Sequence, residues 1–217
     1  MTRSLCSILF LLIFYLPCYS QDSSNVDLEE YISPFELEIA MGYGRSNELN
    51  TFNNNNAYQP QGGFSFNLGI RYYINYSFSI GFHFKGYSDN IKKYDTFSTM
   101  GYSNSRNLTL MNFNFGLNAR YTWGNKWQPF VFAGAGYITG GVLAWENVEP
   151  FNSFDGLAFD IGAGLGLMVA QNTMLSLTLA QSFGTAWWEF EPSYTATDNQ
   201  FNPGYLTIQL GVSIFME

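Results

Sequence analysis

Beyond residue 34, apolar side chains recur at every second position, and this period of two constrains the fold more than any other feature of the chain. Phe35, Leu37, Ile39, Met41 and Tyr43 alternate with Glu36, Glu38, Ala40, Gly42 and Gly44. Phe64 to Tyr72, Phe78 to Phe84 and Phe113 to Trp123 repeat the pattern, and Phe159 to Val169, Leu175 to Leu179 and Leu206 to Met216 do so in the second half. Between Pro129 and Tyr137 the pattern is weaker; there Val131, Ala133, Ala135 and Tyr137 read as one face and Gly134 and Gly136 as the other. Successive side chains of a strand point to opposite sides, so the alternation predicts eight strands of roughly 9–12 residues, each with one apolar face.

The connections between these strands alternate strictly in length. Tyr73–Tyr76, Gly124–Lys126 and Ala170–Thr173 are tight, whereas Arg45–Gly62, Ser88–Asn107, Thr139–Gly156 and Gly184–Gly204 are long and polar. Short turns at one end and long loops at the other describe an antiparallel up-and-down barrel crossing a membrane. The predicted class is therefore all-β, an eight-stranded antiparallel up-and-down transmembrane β-barrel over residues 34–217. A ten-stranded alternative follows if Ala186–Glu191 and Tyr194 form an extra hairpin.

Composition agrees with this reading and excludes others. Charged residues are 12% of 217 and aromatics 19%. A disordered chain would be richer in charge and poorer in aromatics, and a soluble enzyme needs a far more charged surface. A soluble sandwich or lipocalin-like barrel would bury the apolar face inward. Here the other face carries Gly, Ser, Asn and Thr, which suit a narrow interior, and Tyr72, Tyr121, Trp123 and Tyr137 cap the apolar face as interfacial girdles do.

The one long apolar run, Cys6 to Leu16, follows Arg3 and ends at Pro17. With Cys18 and Ser20 at −3 and −1 of a cut before Gln21, residues 1–20 read as a secretory signal peptide. Cleavage would remove both cysteines and one base, taking the net charge from −8 to −9. Disulfides and thiol chemistry are then excluded, and nucleic acid is not an expected partner, because binding it requires a basic surface. Residues 21–33 read as an acidic periplasmic lead-in.

The closing strand Tyr205–Phe215, and the Trp127-Gln128-Pro129-Phe130 entry into an Ala-Gly-Ala-Gly strand, resemble the small outer-membrane β-barrel proteins of Gram-negative bacteria. These include OmpA-type transmembrane domains and OmpW-like porin-family barrels. Such chains usually finish on an aromatic residue; here Phe215 is followed by Met216 and Glu217. The even strand count puts both termini in the periplasm, and the resemblance implies an outer-membrane location with outer-membrane lipid and lipopolysaccharide as surroundings. It further implies insertion by the barrel assembly machinery and a monomeric state.

On the predicted inward face, Glu36, Glu38 and Asp160 stand against Arg71, Lys85 and Arg120, with His83 and Gln209 nearby. Unpaired charges inside a low-dielectric lumen would cost several kcal/mol each, so pairing is expected. The pairs act either as a structural plug or as a gate that opens when partners exchange. His83 is the sole histidine, so no His/Cys zinc cluster exists and no cofactor is expected. A hydrolytic triad on His83 has no accompanying motif, and a non-enzymatic protein is expected. The inward glycines are expected to leave local room, which keeps a narrow passage open as an alternative. The long loops, acidic apart from Lys92, Lys93 and Arg106, carry the aromatics Trp145, Trp187 and Trp188. These three either contact an extracellular ligand or extend the outer girdle. Two functions result: a structural or surface-interaction barrel presenting four loops, or a narrow porin-like barrel for small or hydrophobic solutes.

Overall fold

The computed structural model describes residues 34–46, 56–96, 103–144, 152–189 and 200–216. The predicted signal peptide, the lead-in and Trp145 lie outside these residues. The strands in chain order are β1 (Phe35–Ser46), β2 (Asn56–Pro60), β3 (Gly63–Tyr73), β4 (Phe78–Thr96) and β5 (Ser103–Thr122). They continue as β6 (Trp127–Ala144), β7 (Asn152–Ala170), β8 (Thr173–Glu189), β9 (Gln200–Phe201) and β10 (Tyr205–Met216).

Eight of these form a closed antiparallel barrel in the order β1-β3-β4-β5-β6-β7-β8-β10, with β10 returning to pair with β1. The two short strands are continuations rather than additions. β2 prolongs β3 along β4 past an interruption at Gln61–Gly62, where Gly62 adopts φ +87°. β9 prolongs β10 along β8 in the same way, from Ala186↔Phe201 to Trp187↔Gln200. The ten-stranded alternative is thus not what the chain forms, since Ala186 to Glu189 are the end of β8.

Closure shears the sheet. The cross-strand row from Phe35 runs through Tyr72, Ile80, Ala119, Ala133, Ile161, Gln181 and Leu206, and re-enters β1 at Arg45, ten residues above its start. That offset sets the strand tilt, and eight strands at such a tilt enclose a space that side chains just fill. Ten residues at about 3.3 Å and a tilt of about 40° also make a wall about 25 Å high, the height of an apolar belt.

The alternation sorts the faces as the sequence implies. Outward side chains are apolar and open, with Leu210 70% exposed and Leu117 68%. Rings cluster at the two rims, with Phe35 on Tyr72 and Tyr121 on Trp123 below. Above, Phe66, Phe84, Phe113 and Phe115 form one patch across β3, β4 and β5.

Strand length departs from expectation. β1, β3 and β10 have 12, 11 and 12 residues, but β4 to β8 run for 17 to 20. The β4–β5 ladder continues to Thr96↔Ser103, well into the segment expected to be loop. From Gly86 upward the outward positions of β4 are Gly86, Ser88 and Asn90 rather than apolar side chains, so backbone pairing persists while the apolar period that marks a strand in sequence fades.

Candidate functional site in the barrel lumen

The inward residues stack in three tiers along the barrel axis. The lowest lies next to the short turns. Glu36 and Glu38 come from β1, Arg71 and Tyr73 from β3, and Arg120 from β5. Arg71 pairs with Glu38 and stands 3.5 Å from Glu36, while Arg120 pairs with Glu36 and stands 4.0 Å from Glu38. The Tyr73 hydroxyl donates to Glu36 at 2.7 Å and accepts from Arg120. The Arg120 guanidinium also faces the Phe130 ring at 5.1 Å and the Tyr73 ring at 5.8 Å. Two acids and two bases are thus neutralised in a cross-linked square, with Glu36 and Arg120 fully buried.

The middle tier centres on Asp160 of β7. Its Oδ2 lies 2.9 Å from Lys85 Nζ and 3.3 Å from His83 Nε2, and it accepts from the Asn114 amide at 3.0 Å. His83 Nδ1 faces the Asn118 amide at 3.0 Å. The Lys85 ammonium sits 5.2 Å from the Phe132 ring.

The upper tier holds Asp89 of β4, in the stretch that the sequence predicts as the long Ser88–Asn107 loop. It lies buried in the wall, accepting from Ser46 N at 3.1 Å, Gly62 N at 2.6 Å and the Tyr87 hydroxyl at 2.6 Å. One carboxylate therefore ties β1, the β2–β3 interruption and β4 together. Beside it Tyr87 stacks on Tyr205 at 4.6 Å and 9°. Leu110, Ile138 and Phe154, all inward and fully buried, occupy the remaining cross-section.

All seven predicted lumen residues, Glu36, Glu38, Asp160, Arg71, Lys85, Arg120 and His83, face inward, but they form two separate clusters, one square and one three-way contact on Asp160. Gln209 belongs to neither and donates to Ser65 Oγ at 3.2 Å. Trp187 lies on β8, outward and 47% exposed, beyond Phe183. Trp188 is also in β8, opposite Phe154 in register. Asp155, likewise expected in a loop, lies on β7 and accepts from the Tyr137 hydroxyl at 2.8 Å.

One expectation is corrected. At Gly162 and Gly164 the inward glycines do not leave open space, because rings occupy it. Phe130 is the direct partner of Gly164, and Phe132 that of Gly162. A Cβ on Gly162 would meet Phe132 at 2.5 Å, and one on Gly164 would strike Phe130. Sequence reasoning missed these rings although a signal existed. Counting by twos from inward Gly134 and Gly136 reaches Phe132 and Phe130, and counting on from Lys85 reaches Tyr87 and Asp89.

No protein-family model matches the chain, and no curated protein does. Solved structures share the fold. The Neisserial surface protein A (NspA) superposes with a TM-score of 0.55 at 14% identity, covering 85% of this chain and 98% of that one. The outer membrane protein OprG from Pseudomonas aeruginosa gives 0.53 at 10% identity, with the same coverage of 85% and 98%. Both structures, like this chain, are eight-stranded antiparallel β-barrels.

Proposed function

We propose that this chain is a non-conducting outer-membrane barrel whose task is performed at its outer rim, as a structural or surface-interaction protein. The observation that carries this reading is the three-tier filling of the lumen. A charge square, a shared carboxylate and an apolar cluster follow one another along the axis, and each closes the cross-section with buried groups. The apolar outward belt of about 25 Å supports a bilayer as its solvent. Export by a cleaved signal peptide and a periplasmic position for the short turns belong to the same proposal. Against an enzymatic role stands the complete burial of His83 between Asp160 and Asn118, which leaves no access for a substrate to its ring.

The narrow-pore alternative has one observation in its favour. The buried hydroxyls of Ser176 and Thr178 on β8 have no protein hydrogen-bond partner among the described residues, which is what a thread of water would require. That wall nevertheless leads upward to Leu110, Ile138 and Phe154, which offer water nothing. Liposome swelling tests the choice. Proteoliposomes carrying the folded protein are expected to swell in an isosmotic sugar solution no faster than empty vesicles, whereas rapid swelling would establish the pore instead.

A further inference from the structure

Charge on the outer wall is sparse enough to single out one residue. Among the described residues, the outward positions of the belt from the level of Phe35 up to that of Tyr43 carry no charged side chain. Arg71, Lys85 and Arg120 are held inside by acidic partners. At the edges of the belt stand two exposed bases, Lys126 in a short turn below and Arg45 on β1 above.

Parity fixes where Arg45 points. Glu36, Glu38, Ala40, Gly44 and Ser46 of β1 are buried on the lumen side, whereas Phe35, Ile39, Met41, Tyr43 and Arg45 form the exposed outer series. No described residue forms an ion pair with Arg45, and the outward acid Asp155 lies three strands away on β7, where it accepts from Tyr137. Below the guanidinium the wall is apolar. Tyr43, two residues down on the same face, has Phe64 as its partner on β3, and Leu206 is the partner of Arg45 on β10. All three are exposed, and the Tyr43 ring is held by its hydroxyl, which donates to Gln61 O at 2.8 Å.

Height decides what Arg45 meets. The cross-strand row that starts at Phe35 returns to β1 at Arg45 after one turn round the barrel, a rise of about 25 Å. Bilayer hydrocarbon is about 30 Å thick, so Arg45 stands at its upper border, on the side to which β4 to β8 extend. A lipid-facing Arg is expensive at the midplane and costs little at the interface. There its aliphatic stem stays in the apolar layer while the guanidinium reaches the headgroups. The planar fork of N–H donors matches phosphate oxygens two at a time and stays charged at every working pH. A phosphodiester that carries its own choline or ethanolamine cation is already neutralised. A phosphomonoester on a sugar carries about −1.5 to −2 charges near pH 7 and has no such cation, so it is the better match.

We propose that Arg45 holds the phosphomonoester of a glycolipid in the outer leaflet, with the apolar wall at Tyr43 and Leu206 facing that lipid's acyl chains. This rests on the outer-membrane reading, because only there does the upper edge of the belt meet such a lipid. Diphosphoryl lipid A is the probe, titrated into the folded full chain in mild detergent and read by native mass spectrometry. The wild type is expected to retain it, to hold it more weakly as salt rises, and to hold dephosphorylated lipid A at least about fivefold less tightly. R45Q should lose about fivefold in affinity, the scale of one base at an anionic membrane surface. R45K should lose less, since the charge stays and only the fork goes. K126Q, at the opposite edge, should bind as the wild type does, and thermal unfolding in detergent should match the wild type for all three variants. No binding by the wild type, equal binding of the dephosphorylated lipid, unchanged binding by R45Q, or an equal loss in K126Q would each overturn the site. Flotation with phosphatidylcholine vesicles separates the site from the reading beneath it. A folded chain that fails to float would sink the membrane barrel itself; one that floats, with R45Q binding lipid A unchanged, would sink the site alone.

Discussion

Asp89 shows how much one buried side chain can hold in place. Its carboxylate accepts from the backbone amides of Ser46 and Gly62 and from the Tyr87 hydroxyl, so two strand ends and one interruption depend on it. Asp89→Asn keeps the shape but replaces one acceptor oxygen by a donor group. A loss of about 2 kcal/mol is expected, the scale of a buried hydrogen bond to a charged group. Denaturant unfolding would read that loss, and amide exchange should accelerate at Ser46 and Gly62 first; unchanged exchange there would remove Asp89 from this role. The lower tier gives a sharper contrast. Glu36→Gln leaves Arg120 with only Glu38 at 4.0 Å as a charged partner, and about 3–5 kcal/mol should be lost. Replacing Glu36 and Arg120 together by Leu and Met should recover much of it, because a buried ion pair stabilises little beyond a well-packed apolar pair. A double variant as unstable as the single one would show that the square contributes more than neutralisation.

At the level of single strands, β6 and β7 are fitted to each other by size. Phe130 and Phe132 lie across the inner wall over Gly164 and Gly162, and the two pairs are direct partners in register. Gly164→Val should therefore destabilise the barrel by about 1–3 kcal/mol through overpacking, and Phe130→Ala in the same chain should relieve most of the strain. Thermal unfolding in detergent measures both; additive losses would mean that the ring and the glycine do not share space. This pairing also marks where sequence was informative and where it was not. The eight strands, the tight turns and the orientation of Glu36, Arg71 and Arg120 follow from period two, because burial on one face forces it. The upper halves of β4 to β8 carry no such mark, because their outward positions turn polar, as at Ser88 and Asn90, and their inward ones mix polar with apolar, as at Asp89 and Leu110. Asp89 and Tyr87 went unseen for that reason, sitting just beyond the point where the apolar alternation stops. Phe130 and Phe132 were obscured differently: in Phe130-Val131-Phe132 both parities are apolar, so hydrophobicity alone cannot say which face is the lumen.

Over the whole molecule, the shear of ten residues joins these parts. It brings Glu36 near one end of β1 to the level of Arg120 on β5, and Asp160 on β7 to the level of Lys85 on β4, so that the inward groups gather in tiers. Closure of the lumen is the central claim, and single-molecule current across a planar bilayer tests it most directly. With the folded wild-type protein inserted, the account predicts a current that stays at the baseline of the protein-free membrane at every applied voltage. Discrete, reproducible conductance steps from the wild type would contradict it.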